Sequence, residues 1–398
     1  MPRRAAQRAI QRGPVALDLF ASCAPGLAPL LAAEVLALGF TPTAVAGGVA
    51  LRGDLGTAAL LNLWLRTATR VLARLGEVRA TSFAGLVHEA SKLPFETALS
   101  PGVPVALRVS CRKSRLYHSA AVAERLHVAL QERLGRPVAR VEPATEAEEG
   151  AAQERPAPEA QLLLARFQDD VCTVSADTSG ALLHQRGYRT RPSRAPLRET
   201  LAAALLLAAG YTGEDPFVDP LCGSGTIAIE AALIARRRAP GLARAFALQH
   251  WPGHDAQAFD RLVAAARAQE LPRAPAAVSA SDADADAVAA CRENARRAGV
   301  ETDLAIDQRA LADLPPARAA AGLCATNPPY GIRVGAAGSD LSRLWRELGD
   351  RSRARLRGWR LAVVSPDPRL SRAAAVAWLP LLRTENGGIP VEFLRAQL

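Results

Sequence analysis

Three stretches of this 398-residue chain carry residue types that could do chemistry together. In DPLCGSGTIAIEAALIA, beginning at Asp219, Gly223-Ser224-Gly225 opens an apolar helical pattern. Glycines there let the backbone turn sharply and approach a ligand, and a helix N-terminus offers free N–H groups with partial positive charge. The same residues also suit a tight strand-to-helix turn with no ligand. No phosphate-loop lysine follows the glycines, which disfavours a triphosphate. In SASDADADA, Asp282 closes the next apolar run, where a carboxylate can accept both hydroxyls of a ribose, whereas Asp284 suits the N-cap of the helix that starts at once. Asp307 closes a third run in DLAIDQRAL, placed either to reach an adenine amino group or to stand as an exposed loop acid. In GLCATNPPYGIRVG, Pro328 and Pro329 remove two backbone donors and restrict the residues before them, so neither helix nor central strand runs through. A stiff loop therefore holds the amide of Asn327 and the phenol of Tyr330 at a strand end.

These groups need elements to position them. Beyond residue 197, apolar runs alternate with helical patterns. Helices are expected over about 197–209, 225–236 and 284–298, and strands near Phe217–Asp219, Ala277–Ser281, 303–306, 322–326 and 359–366. That alternation predicts an α/β fold: a mostly parallel, doubly wound sheet with helices on both faces and ligands beyond the carboxyl ends of the strands. The first 180 residues read as α+β, with helices at roughly 25–38, 55–66 and 118–134 among short strands. Strand-like runs at Leu162–Phe167 and Val171–Ser175, joined by QDD, predict a hairpin. Between them and the earlier Val103–Val109 run lies a Glu-, Ala- and Pro-rich stretch, 141–160, expected as a solvated loop. Residues 181–196 read as an exposed basic connection.

A formal charge of +10 and a pI near 10.0 favour a polyanionic partner, although arginine dominance, with only Lys92 and Lys113 as lysines, can also reflect genome composition. Arg112, Lys113, Arg115, Tyr117 and His118 form one cluster where charge can meet phosphate and a ring can meet a base. Arg186, Arg189, Arg191, Arg194 and Arg198 form a second. Either could equally be a solvated basic face. The six cysteines are scattered, without a Cys-x-x-Cys pair or histidines at zinc-ligand spacing, so no metal site is expected and a reduced cytoplasmic chain is the simplest reading. No apolar run is long enough to span a bilayer, and no obligate protein partner is evident. The opening MPRRAAQRAIQRG reads as a disordered basic start or a transit peptide.

The glycine loop, the ribose acid and Asn-Pro-Pro-Tyr, in that order, resemble the class I S-adenosylmethionine-dependent methyltransferases acting on exocyclic amines. The resemblance implies a Rossmann-like domain over 197–398. In it Asp219, Pro220, Cys222, Gly223, Ser224, Gly225 and Thr226 would hold the methionine end of S-adenosyl-L-methionine, Asp282 the ribose and Asp307 the adenine. Asn327, Pro328, Pro329 and Tyr330 would be catalytic. The Asn327 oxygen and the Pro328 carbonyl would each accept one N–H of the amine, and Tyr330 would stack on the base, unless it merely packs on the fold. Cys222 invites a covalent role, but amine methylation needs no thiol, and packing explains a small residue there.

Further stretches narrow this to a family. NLWLRTATRVLARLGEVRA, VSCRKSRLYHSAAVAERL, DTSGALLHQRGYR and APLRETLAAALL, with QHWPGHD at 249–255, resemble the THUMP-domain RNA guanine-N2 methyltransferases, in particular the bacterial branch acting on 23S ribosomal RNA. That resemblance implies a ferredoxin-like segment at 15–75, a THUMP RNA-binding domain at 76–180 and N2 methylation of guanine in RNA. The pattern also leaves open a tRNA substrate, adenine-N6 methylation of DNA, glutamine methylation of protein, or a catalytically silent RNA-binding protein. Some relatives carry a second methyltransferase module, whereas this chain implies at most one activity.

Overall fold

The computed structural model describes residues 16–144, 160–189, 197–330 and 338–398. The expected acidic stretch and basic start lie largely outside these residues, as do Arg191 and Arg194.

Eight strands form the first sheet: β1 (Leu17–Cys23), β2 (Thr43–Val45), β3 (Gly48–Gly53), β4 (Ala68–Arg79), β5 (Val105–Arg112), β6 (Arg140–Val141), β7 (Gln161–Gln168) and β8 (Val171–Asp177). Their order is β2-β3-β1-β4-β8-β7-β5-β6. Helices α1 (Ala28–Ala37), α2 (Leu55–Trp64), α3 (Phe83–Ala90) and α4 (Ser119–Leu134) belong to the same module. Alternation drives the burial. In β1, Leu19 and Ala21 are buried while Asp18 is exposed, and in β7 Leu163, Ala165 and Phe167 are buried while Arg166 is exposed. α2 starts at Asp54, whose carboxylate accepts the Thr57 N–H at 2.7 Å. The QDD hairpin joins β7 to β8, with Asp169 and Asp170 both at positive φ. β4 runs through position 75, so the two expected N-terminal segments share one sheet and one core.

The second sheet is built from β9 (Phe217–Asp219), β10 (Val278–Asp282), β11 (Leu304–Gln308), β12 (Leu323–Thr326), β13 (Arg360–Ser365), β14 (Leu379–Asn386) and β15 (Ile389–Gln397). Its order is β11-β10-β9-β12-β13-β15-β14, with β9 to β13 parallel and the final hairpin antiparallel. Chain order reverses at β9, because β10 pairs on one side of it and β12 on the other. That is the topological switch point, where the loops after β9 and β12 part and leave a crevice. The helices are α5 (Glu199–Ala208), α6 (Thr226–Ala235), α7 (Ala256–Ala268), α8 (Ala285–Arg297), α9 (Gly338–Arg355) and α10 (Pro368–Ala373). All ten residues of α6 are buried, which is why it reads as apolar on every side.

The insertion between α6 and β10 turns back onto the first module. Phe246, Leu248, Trp251 and Leu262 complete that module's core, and the Trp251 indole N–H donates to Gln161 Oε1 at 2.7 Å. The two sheets are thus joined by packed apolar surface as well as by the chain connection.

Candidate active site at the switch point

Parallel strands bring the expected groups to one end of the sheet. Asp219 is the last residue of β9 and Asp282 the last of β10; Asp307 is the penultimate residue of β11, and Asn327 follows β12 directly. Within the glycine loop, Gly223 (φ 51°) and Gly225 (φ 87°) adopt left-handed backbone, which a side chain would strain. A Cβ on Gly225 would lie 2.4 Å from Cys291 Sγ, so this glycine lets α8 approach the loop. A Cβ on Gly223 would meet nothing within 4 Å, so that side of the loop borders open space.

Asp282 fixes the loop. Its Oδ2 accepts the Gly223 N–H at 2.9 Å and its Oδ1 accepts the Asp284 N–H at 3.0 Å. Each carboxylate oxygen keeps a further lone pair for a ribose hydroxyl. Asp284 caps α8 through the Asp286 N–H at 2.9 Å, as expected. Asn294, unforeseen from sequence, donates its Nδ2–H to the Ser224 carbonyl at 2.9 Å from a buried position. Asp307 is exposed and pairs with Arg309 at 2.9 Å. Thr226 Oγ1 accepts from Arg189 at 2.8 Å, so its hydroxyl belongs to the helix start.

Asp219 is 1% exposed, and burial raises its carboxyl to about 7, against the opposing hydrogen bonds from Thr326 and the Leu221 N–H and with the Asp282 charge raising it further. The Cys222 thiol is raised by its hydrogen bond to Cys291 and by burial. A thiol held protonated is a poor nucleophile, which fits packing better than a covalent role.

On the opposite side of the switch point, Asn327 Oδ1 is buried and has no hydrogen-bond partner among the described residues. A buried acceptor without a donor there is an open demand for one. Pro328 is buried, and Tyr330 receives a hydrogen bond from Asn386 Nδ2 at 2.8 Å. Asn386, at the tip of the β14–β15 hairpin, escaped sequence reading, although the Asn-Gly-Gly turn that presents it was legible.

The basic clusters part company. Arg112, at the end of β5, and Lys113, Arg115, Tyr117 and His118 in the loop to α4 are all exposed, with the Tyr117 and His118 rings 4.1 Å apart. Arg186 corrects the expected exposed connection, being only 4% exposed and lying 3.6 Å from Glu230, the one acid inside α6. Arg189 likewise turns inward, 3.4 Å from Glu199. Their positive charge is met by buried carboxylates, because the described residues 181–189 pack between the two modules.

The strand order, the left-handed glycine loop and the strand-end acids define a class I methyltransferase fold. The chain belongs to the RMKL-like methyltransferase family, whose methyltransferase domain matches residues 186–391; residues 18–72 match the RlmL ferredoxin-like domain. It is 35% identical over 390 residues to the ribosomal RNA large subunit methyltransferase K/L of Syntrophotalea carbinolica, covering 95% of this chain and 53% of that protein. It thus spans about half the length of the K/L relatives it matches. A putative RNA methyltransferase of Synechocystis sp., slr0064, is 31% identical, covering 95% of this chain and 96% of that protein. Among solved structures, SMU.472, a putative methyltransferase complexed with SAH, superposes with a TM-score of 0.85 at 28% identity, over 98% of this chain and 99% of that one.

Proposed function

We propose that this chain transfers the methyl group of S-adenosyl-L-methionine to the exocyclic N2 amine of a guanine in RNA, and that the RNA is 23S ribosomal RNA. The observation that carries the chemistry is the buried Asn327 Oδ1, unpartnered among the described residues, on a double-proline loop across the switch point from the glycine loop. The fold's use of this crevice, the open space beside Gly223 and the ordered Asp282 fit a nucleoside cofactor, and SMU.472 was crystallised with SAH. RNA as substrate rests on the exposed Arg112–His118 cluster and on the names of the K/L and slr0064 relatives. Guanine N2 rests on the family resemblance.

When bound, the cofactor supplies a sulfonium-activated methyl. The chain must then orient a weak nucleophile, since an exocyclic amine delocalises its lone pair into the ring. Asn327 Oδ1 accepts one N–H and the Pro328 carbonyl the other, which turns the nitrogen lone pair toward the methyl. Transfer would form the N–C bond as the S–C bond breaks, leaving the electron pair on sulfur and releasing the proton of the cationic nitrogen to solvent. Tyr330 presents its ring to the base while Asn386 holds its hydroxyl. Such positioning can supply up to roughly 7–11 kcal/mol of barrier reduction.

The test is to incubate unmodified 23S rRNA with the protein and methyl-labelled cofactor, then digest to nucleosides. N2-methylguanosine is expected. Label in another nucleoside overturns the base assignment, and preferential labelling of tRNA overturns the substrate assignment.

A further inference from the structure

The expected RNA contacts are a loop and a connection, whereas the structure shows a third basic surface that shares only Arg112 with them. One face of the eight-stranded sheet packs on the first module's core, and the other faces outward. Cross-strand register assembles arginines on that outer face from strands far apart in sequence. One row runs Arg52, Asp18, Arg74, Ser175, Leu164, Arg108 across six strands. The next runs Glu77, Thr173, Arg166, Ser110, and the last Arg79, Val171, Gln168, Arg112.

The register shift between Arg74 and Gly76 makes this possible. It keeps Glu77 and Arg79 on the same face as Arg74 while the core face continues with Val78. Arg52, Arg79, Arg112 and Arg166 are exposed. The Arg74 guanidinium lies 4.7 Å over the Phe20 ring, beside a groove of about 690 Å³ that Arg52 and Arg74 help to line. Among the described residues, Arg52, Arg74, Arg79, Arg112 and Arg166 share these rows with Asp18 and Glu77, of which Asp18 already pairs with Arg52 at 3.2 Å, while Arg108 is engaged with the Ala144 carbonyl. Buried Arg186 and Arg189 meet carboxylates, whereas Arg79, Arg112 and Arg166 stand exposed on this face.

We propose that this outer sheet face docks the phosphate backbone of the substrate RNA, and that it meets the Arg112–His118 loop at Arg112 to form one continuous track. Alternate residues along a strand recur about every 6.7 Å and neighbouring strands lie about 4.8 Å apart, so the arginines form a two-dimensional array of donors rather than one line. Arginine forks suit phosphate oxygens, and the flat face reads charge rather than sequence. The inference rests on RNA being the substrate.

The test uses the full chain and a protein-free 23S rRNA transcript, with affinity measured across a salt series. Replacing Arg52, Arg79 and Arg166 together by Ala removes three exposed side chains and is expected to leave thermal melting near wild type. The slope of log affinity against log salt should fall by about 2, at roughly 0.7–0.9 per lost phosphate contact. The triple lysine variant should recover most of that slope. Unchanged slope in the alanine variant overturns the proposal, as does weaker binding without a change in slope. Nucleoside analysis of the wild-type product is independent of this measurement, so a wrong base assignment and a wrong docking face give separate signatures.

Discussion

Asn386 Nδ2 donates to the Tyr330 hydroxyl at 2.8 Å, tying the tip of the β14–β15 hairpin to the Asn-Pro-Pro-Tyr loop. The bond joins residues 56 positions apart, and it makes an antiparallel hairpin at the sheet's edge part of the site. Asn386→Ala is expected to lower kcat by roughly 10–100-fold, because small misplacements near reacting atoms are costly. Tyr330→Phe removes the same bond while keeping the ring. Rates of both single variants and the double variant check this: the double should be little worse than the poorer single, and full additivity would sink the coupling.

Asn327→Ala should abolish transfer while leaving RNA affinity nearly intact. It should also leave melting temperature unchanged or raised, since a buried acceptor without a partner among the described residues contributes no stability. Single-turnover assays, filter binding and thermal melting separate the three. Transfer at the wild-type rate would remove the proposed orientation mechanism.

Asp219 sets a pH dependence. Its folded carboxyl lies near 7, above the ordinary 3.8, so between those values the folded state binds the extra proton and stability falls as pH rises. The loss is complete above about pH 7 and amounts to a few kcal/mol at most, on the order of 1.4 kcal/mol per unit. Asp219→Asn should flatten the stability profile between pH 4 and 7, roughly the window between the two values. A cationic cofactor favours the charged form, so its affinity should rise from about pH 6 to 8 in the wild type and stay level in the variant, as calorimetry can check.

The two glycines of the cofactor loop should fail differently. Gly225→Ala places a methyl 2.4 Å from Cys291 Sγ on left-handed backbone, and it should destabilise the protein by about 1–3 kcal/mol or more. Gly223→Ala meets no atom, so the protein should fold with only a modest penalty yet bind S-adenosylhomocysteine at least about 10-fold more weakly. Denaturant melts paired with ligand titration distinguish them; equal cofactor affinity in Gly223→Ala would show that the open space is not the cradle.

Arg186→Ala strips a buried cation from Glu230, and breaking such a pair costs roughly 3–5 kcal/mol. Stability should drop while the salt slope of RNA binding holds. A fall in slope with unchanged stability would restore Arg186 to the RNA surface.

Much of this was legible because local patterns are strong where burial is one-sided or complete. The expected strand at 322–326 is observed at Leu323–Thr326, and the helix at 225–236 is observed at Thr226–Ala235, since glycine turns and apolar runs punctuate both. β14 is not legible in the sequence because Pro380 and its charged residues suit only an edge strand, where alternation is weak. α9 was likewise missed, its sequence being polar over most turns.

By itself the sequence determined which groups stand at strand ends, because parallel βα units place every carboxyl end on one side. It determined the stiffness of the Pro328–Pro329 loop too, since proline acts through its own ring. Only tertiary structure decided which charges remain free. Arg186 and Arg166 look alike along the chain, but one meets a buried carboxylate between modules and the other stands on an open sheet face. The joining of Asn386 to Tyr330 was decided there as well, because strand order rather than chain order brings the last hairpin beside the loop after β12.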